Sequence, residues 1–377
     1  MPYKFIYIDD TQDEIEKGTI NGLEDGGEIK IDFKKPVDWE TLIKDVTDTM
    51  PEYQGVILDL RLNGNAYEAN KYAQYRGSTL AQELRTLAKE DQNKNDYPII
   101  LISADKNIEE SLDQTSLDLF DFVVNKNKLG NDKQLSYPAF KTKLKWLADG
   151  YDFLNKKGGS IAEILDKQSL PVIDSRFTDT FNDLIGKPKH VIARFIVKQI
   201  IARPSFLIDE DYLAARLGVD KTSDDWNDLV SKFIPETIKY SGAFSNYYPR
   251  WWMPLLEEFW GTNISNEVKF RGTSASKKTE LIIEKSGFKN LKPLVKAEKS
   301  KSDSFWVVCK ASKVPLDTID GFIIGGQDDK FSWQEPEYIS LQEGLRPTTE
   351  IKVSSIEKPR LQKLKDFFEQ HEQRVRK

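Results

Sequence analysis

The sequence predicts a doubly wound α/β domain with a five-stranded parallel sheet, then a mainly helical segment and an α+β region. Two observations in the first 155 residues predict the sheet. Five short apolar runs alternate with stretches of helical spacing, and each run stays apolar at consecutive positions, as strands buried on both faces do. At 377 residues the chain is long enough for two or three domains, and we place them at 1–155, 156–264 and 265–377.

The elements of the first domain follow in chain order. Strands are predicted at KFIYI (4–8), EIKIDF (28–33), GVILDL (55–60), PIILIS (98–103) and FDFVVNK (120–126). Helices are predicted at 38–48, 78–90 and 139–154, with Asp38 and Ser78 as the N-caps of the first two. In such a sheet the ligand site lies beyond the carboxyl ends of the strands.

Composition limits the function classes. No stretch reaches the roughly 20 consecutive apolar residues of a membrane span, and the start has no signal-peptide pattern, so we expect a cytoplasmic protein without membrane contact. The single cysteine, Cys309, excludes an internal disulfide and a multi-cysteine metal site. With only His190 and His371, histidine-rich zinc chemistry is excluded as well.

Polar residues end the predicted strands. Asp9 and Asp10 end the first, Asp59 the third, Ser103 the fourth and Lys126 the fifth. Three carboxylates in one crevice repel one another, and Mg²⁺, which prefers oxygen ligands, would resolve the conflict. Asp59 could then act as a nucleophile on a phosphoryl group, while the cation and the Lys126 ammonium balance the added charge.

The motifs IDD (8–10), LDLRLNG (58–64), ISAD (102–105) and VNK (124–126) resemble those of the receiver domain of two-component response regulators. The resemblance covers about 40% of the chain and implies a flavodoxin-like fold. It also implies the following roles: Asp9 and Asp10 as metal ligands, Asp59 as phosphoacceptor and metal ligand, Arg61 as a ligand through its backbone carbonyl, Ser103 as the switch hydroxyl, and Lys126 as the phosphate-pairing cation.

The resemblance implies Mg²⁺-dependent phosphorylation of Asp59 by a histidine kinase, a phosphorelay partner or another phosphodonor, controlling an output in the rest of the chain. We expect no catalysis beyond self-phosphorylation and autodephosphorylation. The sequence departs from the family pattern at NGNAYEANKYAQYRG (63–77), an insertion after Asp59, and at Asn127, where the family has proline. The alternative is therefore a pseudo-receiver that is not phosphorylated and serves as an adaptor or scaffold in an assembly such as a stress or phage-defence complex.

The middle of the chain has two notable stretches. Residues 207–234 have the pattern of helix, turn at Gly218, helix, but acids at the start of the second helix would be repelled by DNA, so a helical pair for protein contacts is favoured over a DNA-binding one. The aromatic-rich stretch 240–260 fits a core or inter-domain contact, or a surface that binds a protein partner.

The last third is predicted to hold short strands with a helix, ending in a docking helix at 357–377 with Leu361, Leu364 and Phe368 on one face. Residues 266–313 carry 12 basic and 5 acidic side chains. This basic segment allows a second alternative, an output that binds nucleic acid, although a solvated loop or a surface for a protein partner explains it as well.

Overall fold

The computed structural model describes residues 1–11, 13–90, 95–104, 112–130, 135–167, 173–297, 300–346 and 350–375, with side chains described up to residue 367. The chain divides into two compact units. The first comprises Met1–Lys167, Asn182–Ile196 and Gly242–Tyr247, and the second comprises Gln168–Phe181, Val197–Ser241 and Tyr248–Lys377. The boundary predicted at residue 264 lies inside the second unit, and the division into three domains stays a prediction.

The first unit contains the predicted parallel sheet. Its strands are β1 (Tyr3–Ile8), β2 (Ile29–Lys34), β3 (Gly55–Asp59), β6 (Ile99–Ser103) and β7 (Phe122–Asn125). They pair in the order β2-β1-β3-β6-β7, and every pairing is parallel. This order is that of flavodoxin-like folds, so the predicted fold class is confirmed. All residues of β3 and β6 are buried, which explains their unbroken apolar runs.

Helices cover both faces of the sheet. In the described residues of the first unit they are α1 (Glu14–Glu24), α2 (Trp39–Thr49), α3 (Gly77–Glu90), α4 (Gln114–Leu117), α5 (Tyr137–Lys156), α6 (Ile161–Ile164) and α8 (Lys189–Phe195). Asp38 caps α2, as predicted, by accepting from the Thr41 N–H. The predicted cap at Ser78 is wrong, because α3 begins at Gly77, whose N–H donates to the Leu60 carbonyl and fixes the helix start on the end of β3.

Two features of this unit were not predicted. One is α1, whose N-cap Asp13 accepts from the amides of Ile15 and Glu16. The other is the form of the insertion after Asp59, which folds as an antiparallel hairpin of β4 (Ala66–Glu68) and β5 (Lys71–Tyr72).

The remaining elements are mostly short. They are α7 (Ser175–Asn182), β8 (Leu207–Ile208), α9 (Glu210–Leu217), α10 (Trp226–Asp228), β9 (Trp251–Trp252), α11 (Met253–Phe259), α12 (Ala275–Ser286), β10 (Val307–Val308), β11 (Pro315–Leu316), β12 (Gly321–Ile323), β13 (Tyr338–Ser340), α13 (Leu341–Leu345) and α14 (Lys358–Val375). Stretches 196–201, 229–233 and 260–264 are π-helical, and 50–52, 126–128, 236–238 and 318–320 are 3₁₀-helical. A helical segment followed by an α+β region confirms the predicted order of element types.

Aromatic and aliphatic side chains form the core of the second unit. Trp226, Trp251, Trp260 and Trp306 are all buried there. The turn predicted at Gly218 is present, with φ of 72° as the C-cap of α9. Leu361 and Leu364 of α14 pack against this core, which agrees with a docking helix, whereas the side chain of Phe368 lies outside the described residues.

Across the described part of the chain, every helix is either too short or too polar to span a bilayer.

Candidate functional site

The carboxyl ends of the parallel strands bring the predicted polar residues to one edge of the sheet. Asp59 is the last residue of β3 and Ser103 the last of β6, and both are buried. Asp9 directly follows β1, and Lys126 directly follows β7. Asp105 of the ISAD motif lies outside the described residues.

Lys126 is the centre of this edge. Its ammonium Nζ lies 2.8 Å from Asp9 Oδ2, 2.6 Å from Glu16 Oε1 and 3.5 Å from Asp59 Oδ1. Burial lowers the pKa of Lys126, but the charges of Asp9 and Asp59 outweigh burial and raise it above its ordinary value. The side chain therefore stays charged and links three acids from three different elements.

Asp59 is only 7% exposed. Its Oδ2 accepts the backbone N–H of Arg61 at 2.7 Å. Burial and then the charge of Asp9 raise the pKa of Asp59 to about 7, against the opposing effect of Lys126. A raised pKa is expected for a carboxyl group that shares a buried site with another acid.

Asp9 has donors at both oxygens. Oδ1 accepts from the Thr11 backbone N–H at 2.9 Å and from the Thr11 hydroxyl at 2.7 Å. Oδ2 accepts from the Tyr7 hydroxyl at 3.0 Å and from Lys126. Burial and the neighbouring Asp9 charge raise the pKa of Tyr7, so the phenol keeps its proton and remains a donor.

Asp10 is held by the insertion. Its Oδ2 accepts the backbone N–H groups of Gly64 at 2.5 Å and Asn65 at 2.8 Å, immediately before strand β4. A Cβ at residue 64 would lie 2.9 Å from the same oxygen, so glycine permits this close approach. The insertion is therefore attached to the candidate site through two backbone amides, and the only side-chain requirement of this contact is a glycine at position 64.

Glu16 is a site residue that sequence reasoning missed. It lies in α1 and is 3% exposed. It belongs to none of the motifs named above, yet its carboxylate makes the shortest contact of the Lys126 ammonium. The available signal was local: Asp13 followed three residues later by Glu16 has the spacing of a helix-capping pair. That signal would have located α1 but not the contact with Lys126, which is 110 residues away.

The donor chemistry of this edge fits a hard divalent cation. Asp9, Asp10, Asp59 and Glu16 are buried acids, and their carboxyl oxygens are of the ligand type that Mg²⁺ prefers. Among the residues that the structure describes, however, no three acidic, histidine or cysteine side chains are arranged to hold a metal ion. The assignment of metal ligands, including the carbonyl of Arg61, therefore stays a prediction.

A second buried charge cluster lies at the amino ends of the strands. Arg85 donates to Asp96 and Asp121 at 2.7 Å each, and Tyr151 donates to Asp121 at 2.6 Å. Asp96 also accepts from the backbone N–H of His190 at 2.8 Å and lies 2.9 Å from its ring Nδ1. This cluster connects residues 182–196 to the sheet within the first unit, and no motif in the sequence indicated it.

The basic segment 266–313 contributes fewer surface charges than its composition suggests. Lys278 is fully buried, and its Nζ donates to the Arg216 carbonyl at 2.7 Å. Lys277 pairs with Glu280, and Lys310 pairs with Glu337. Residues 298–299 of the segment lie outside the described part of the chain.

The aromatic stretch 240–260 is largely interior. Tyr240, Phe244, Trp251 and Trp252 are each at most 3% exposed. Within the first unit, Phe244 packs edge-on against Trp146 and Tyr151. Most of these rings therefore serve packing rather than a surface for a partner.

No protein-family model and no curated protein matches this sequence. The chain is similar to solved structures of receiver domains and response regulators. A chain in the co-crystal of the Saccharomyces cerevisiae phosphotransfer protein Ypd1 with the receiver domain of Ssk1 is 12% identical, with a TM-score of 0.27, and the match covers 39% of this chain and 89% of that chain.

Two bacterial structures give similar values. A response regulator from Thermotoga maritima is 13% identical, with a TM-score of 0.24, over 38% of this chain and 96% of that chain. The response regulator RcsB from Salmonella typhimurium is 20% identical, with a TM-score of 0.25, over 53% of this chain and 80% of that chain.

Proposed function

We propose that residues 1–155 form a signalling domain that accepts a phosphoryl group on Asp59 and so controls the rest of the chain. The observation that carries the proposal is the arrangement of Asp59, Lys126 and Asp9 at the carboxyl edge of a flavodoxin-like sheet. A buried carboxylate 3.5 Å from a buried ammonium can take on added negative charge that the ammonium then compensates.

The chemical step is an in-line displacement at phosphorus. A carboxylate oxygen of Asp59 forms a bond to phosphorus, and the bond from phosphorus to the donor atom breaks, so the donor leaves with that electron pair; this atom is an oxygen in acetyl phosphate and an imidazole nitrogen in phosphohistidine. For acetyl phosphate the products are acetate and an aspartyl phosphate; for a phosphohistidine donor they are histidine and the same acyl phosphate. Water later hydrolyses the aspartyl phosphate and regenerates Asp59.

Residues Asp9, Asp10 and Asp59, with the carbonyl of Arg61, are the proposed holders of Mg²⁺, which when bound supplies positive charge beside the transferred phosphoryl group. The Ser103 hydroxyl is the proposed donor to a phosphoryl oxygen. The donor in a cell would be a histidine kinase, a phosphotransfer protein or a small acyl phosphate. The effect on residues 156–377 would follow from the charge that phosphorylation adds.

Intact-mass measurement tests the proposal. Wild type and Asp59→Asn are incubated with acetyl phosphate, with and without Mg²⁺. We expect the mass increase of one phosphoryl group in wild type with Mg²⁺ and none in Asp59→Asn. An equal mass increase in both proteins, or none in either, rejects Asp59 as the phosphoacceptor.

A second candidate is a scaffold that is not phosphorylated. Two contacts favour it: the insertion amides occupy an oxygen of Asp10, and Glu16 takes a short contact to Lys126. Under this alternative the buried charges only stabilise the fold, and a protein partner binds equally well to wild type and Asp59→Asn. An affinity that differs between the two proteins after acetyl phosphate treatment argues against it.

A further inference from the structure

The ammonium of Lys126 already has two close acceptors. Its two short contacts go to Glu16 Oε1 at 2.6 Å and Asp9 Oδ2 at 2.8 Å, while Asp59 Oδ1 is more distant at 3.5 Å. An ammonium group has three N–H donors, and two of them serve Glu16 and Asp9, so one remains for a group on Asp59. The two short contacts hold Nζ in place, and a closer approach to Asp59 moves Nζ against them. Of the two short contacts, the one to Glu16 involves a residue outside the proposed phosphorylation machinery.

Glu16 depends on Lys126. Its Oε2 is buried and has no hydrogen-bond partner among the described residues, and the carboxyl group of Asp13 lies beside that of Glu16. Burial and the contact with Asp13 raise the pKa of Glu16, whereas Lys126 lowers it. If Lys126 turned away, Glu16 would be a buried carboxylate without a cation, which proteins strongly disfavour.

We propose that Glu16 competes with the phosphoryl group of Asp59 for Lys126, so that it acts as a positioning residue that limits how far phosphorylation proceeds; this inference rests on the proposed function. The competition has two parts. A closer approach of Nζ to the phosphoryl group stretches its contact with Glu16, and the Glu16 charge repels the phosphoryl oxygens, which bind the same ammonium group.

The substitution Glu16→Gln separates the effect of the Glu16 charge from the effect of its side-chain size. The amide has nearly the size of the carboxyl group and keeps an oxygen that accepts from Lys126, but it carries no charge. Glu14→Gln is the matched control, because Glu14 lies on the same helix, pairs with Lys17 at 2.9 Å and has a side chain that is 90% exposed.

The test is a titration with beryllofluoride and Mg²⁺ at about pH 8, where carboxyl groups are ionised in most settings. Beryllofluoride occupies the place of a phosphoryl group on a carboxylate without chemical turnover. We expect roughly tenfold tighter binding by Glu16→Gln than by wild type, the scale of the difference between a hydrogen bond to a charged acceptor and one to a neutral acceptor. Glu14→Gln should bind like wild type.

Equal or weaker binding by Glu16→Gln, with normal binding by wild type, overturns this inference and leaves the proposed function intact. No binding by wild type rejects the proposed function and the inference together. A purely structural role for Glu16 predicts a loss of stability and no gain in affinity, so a gain is specific to competition.

A second measurement does not require Mg²⁺. In metal-free protein with ¹⁵N-labelled lysine, the ammonium resonance of Lys126, assigned by its loss in Lys126→Arg, should exchange its protons slowly in wild type because Glu16 and Asp9 both hold it. Glu16→Gln should exchange them faster, and an unchanged exchange rate contradicts the competition. If Glu16→Gln does not fold, the shorter Glu16→Asp is measured in its place, with the same direction expected.

Discussion

Gly77 at the start of α3 lies directly against the backbone carbonyl of Asp59. A Cβ built on Gly77 would stand 2.1 Å from the Asp59 carbonyl oxygen, a separation that no side chain can tolerate. The insertion therefore returns to the fold at a glycine, and this glycine sets the position of the proposed phosphoacceptor.

Gly77→Ala should displace the end of β3 or the start of α3. We expect it to lower the free energy of unfolding by about 2 kcal/mol or more, the scale of overpacking in a core, and to reduce phosphorylation of Asp59. Urea unfolding and intact-mass measurement check the two effects. Gly18→Ala is the control, since Gly18 lies in α1 with open space around its Cα and the change should be neutral or stabilising by up to about 1 kcal/mol. Equal stability of Gly77→Ala and wild type would contradict the account.

Asp96→Asn should destabilise the first unit in a way that depends on pH. Burial raises the pKa of Asp96, but Arg85 and His190 together outweigh burial and bring it down to about 2. A carboxyl group whose pKa is lower in the folded protein contributes stability above its unfolded pKa of about 3.9, and the contribution is lost as the pH falls through about 2.

We therefore expect Asp96→Asn to cost about 3 kcal/mol at neutral pH, because it leaves Arg85 buried with one fewer carboxylate. The difference from wild type should shrink between about pH 4 and pH 2. Chemical unfolding across this range measures it. Asp152→Asn, which removes an exposed i,i+4 partner of Lys156, should change stability by less than about 0.5 kcal/mol. A constant difference between Asp96→Asn and wild type would contradict the ionic role of Asp96.

Lys278→Met should change the alkaline behaviour of the second unit. Burial, with a further contribution from Arg216, lowers the pKa of Lys278 to about 8. Between that value and the unfolded pKa of about 10.4 the unfolded chain binds more protons, so this residue makes stability rise with pH in that window.

We expect wild type to gain up to about 3 kcal/mol relative to Lys278→Met between about pH 7 and pH 10, as measured by urea unfolding of both proteins. Lys277→Met is the control, because Lys277 is exposed and paired with Glu280, and the substitution should change the stability by less than about 1 kcal/mol. If the free energies of unfolding of wild type and Lys278→Met change in parallel with pH, burial does not disfavour the charged form of Lys278.

The sequence was sufficient to predict the parallel sheet because its central strands are buried on both faces. Consecutive apolar residues in β3 and β6 are direct consequences of that burial. The position of Asp59, Ser103 and Lys126 at one edge was also predictable, because the carboxyl ends of parallel strands lie at the same edge of the sheet.

Local pattern was insufficient where other forces decide. Helix α1 contains Gly18 and Gly22 and few apolar residues, so its apolar pattern gave no helical signal and only the capping pair marked its start; Glu16 was missed with the helix. The contact between Asp96 and His190 joins residues 94 positions apart, and no local pattern encodes such a pairing. Ser78 has the residue type of an N-cap, but the bond of Gly77 to Leu60 starts the helix earlier.

Trapping the acyl phosphate shows whether Asp59 is the residue that carries the phosphoryl group. The protein is treated with acetyl phosphate and Mg²⁺, then with borohydride, which reduces an aspartyl phosphate to homoserine, and peptides are sequenced by mass spectrometry. We expect homoserine at residue 59 in wild type and at no position in Asp59→Asn. Homoserine at another aspartate, or at none, in the wild-type protein would contradict this expectation.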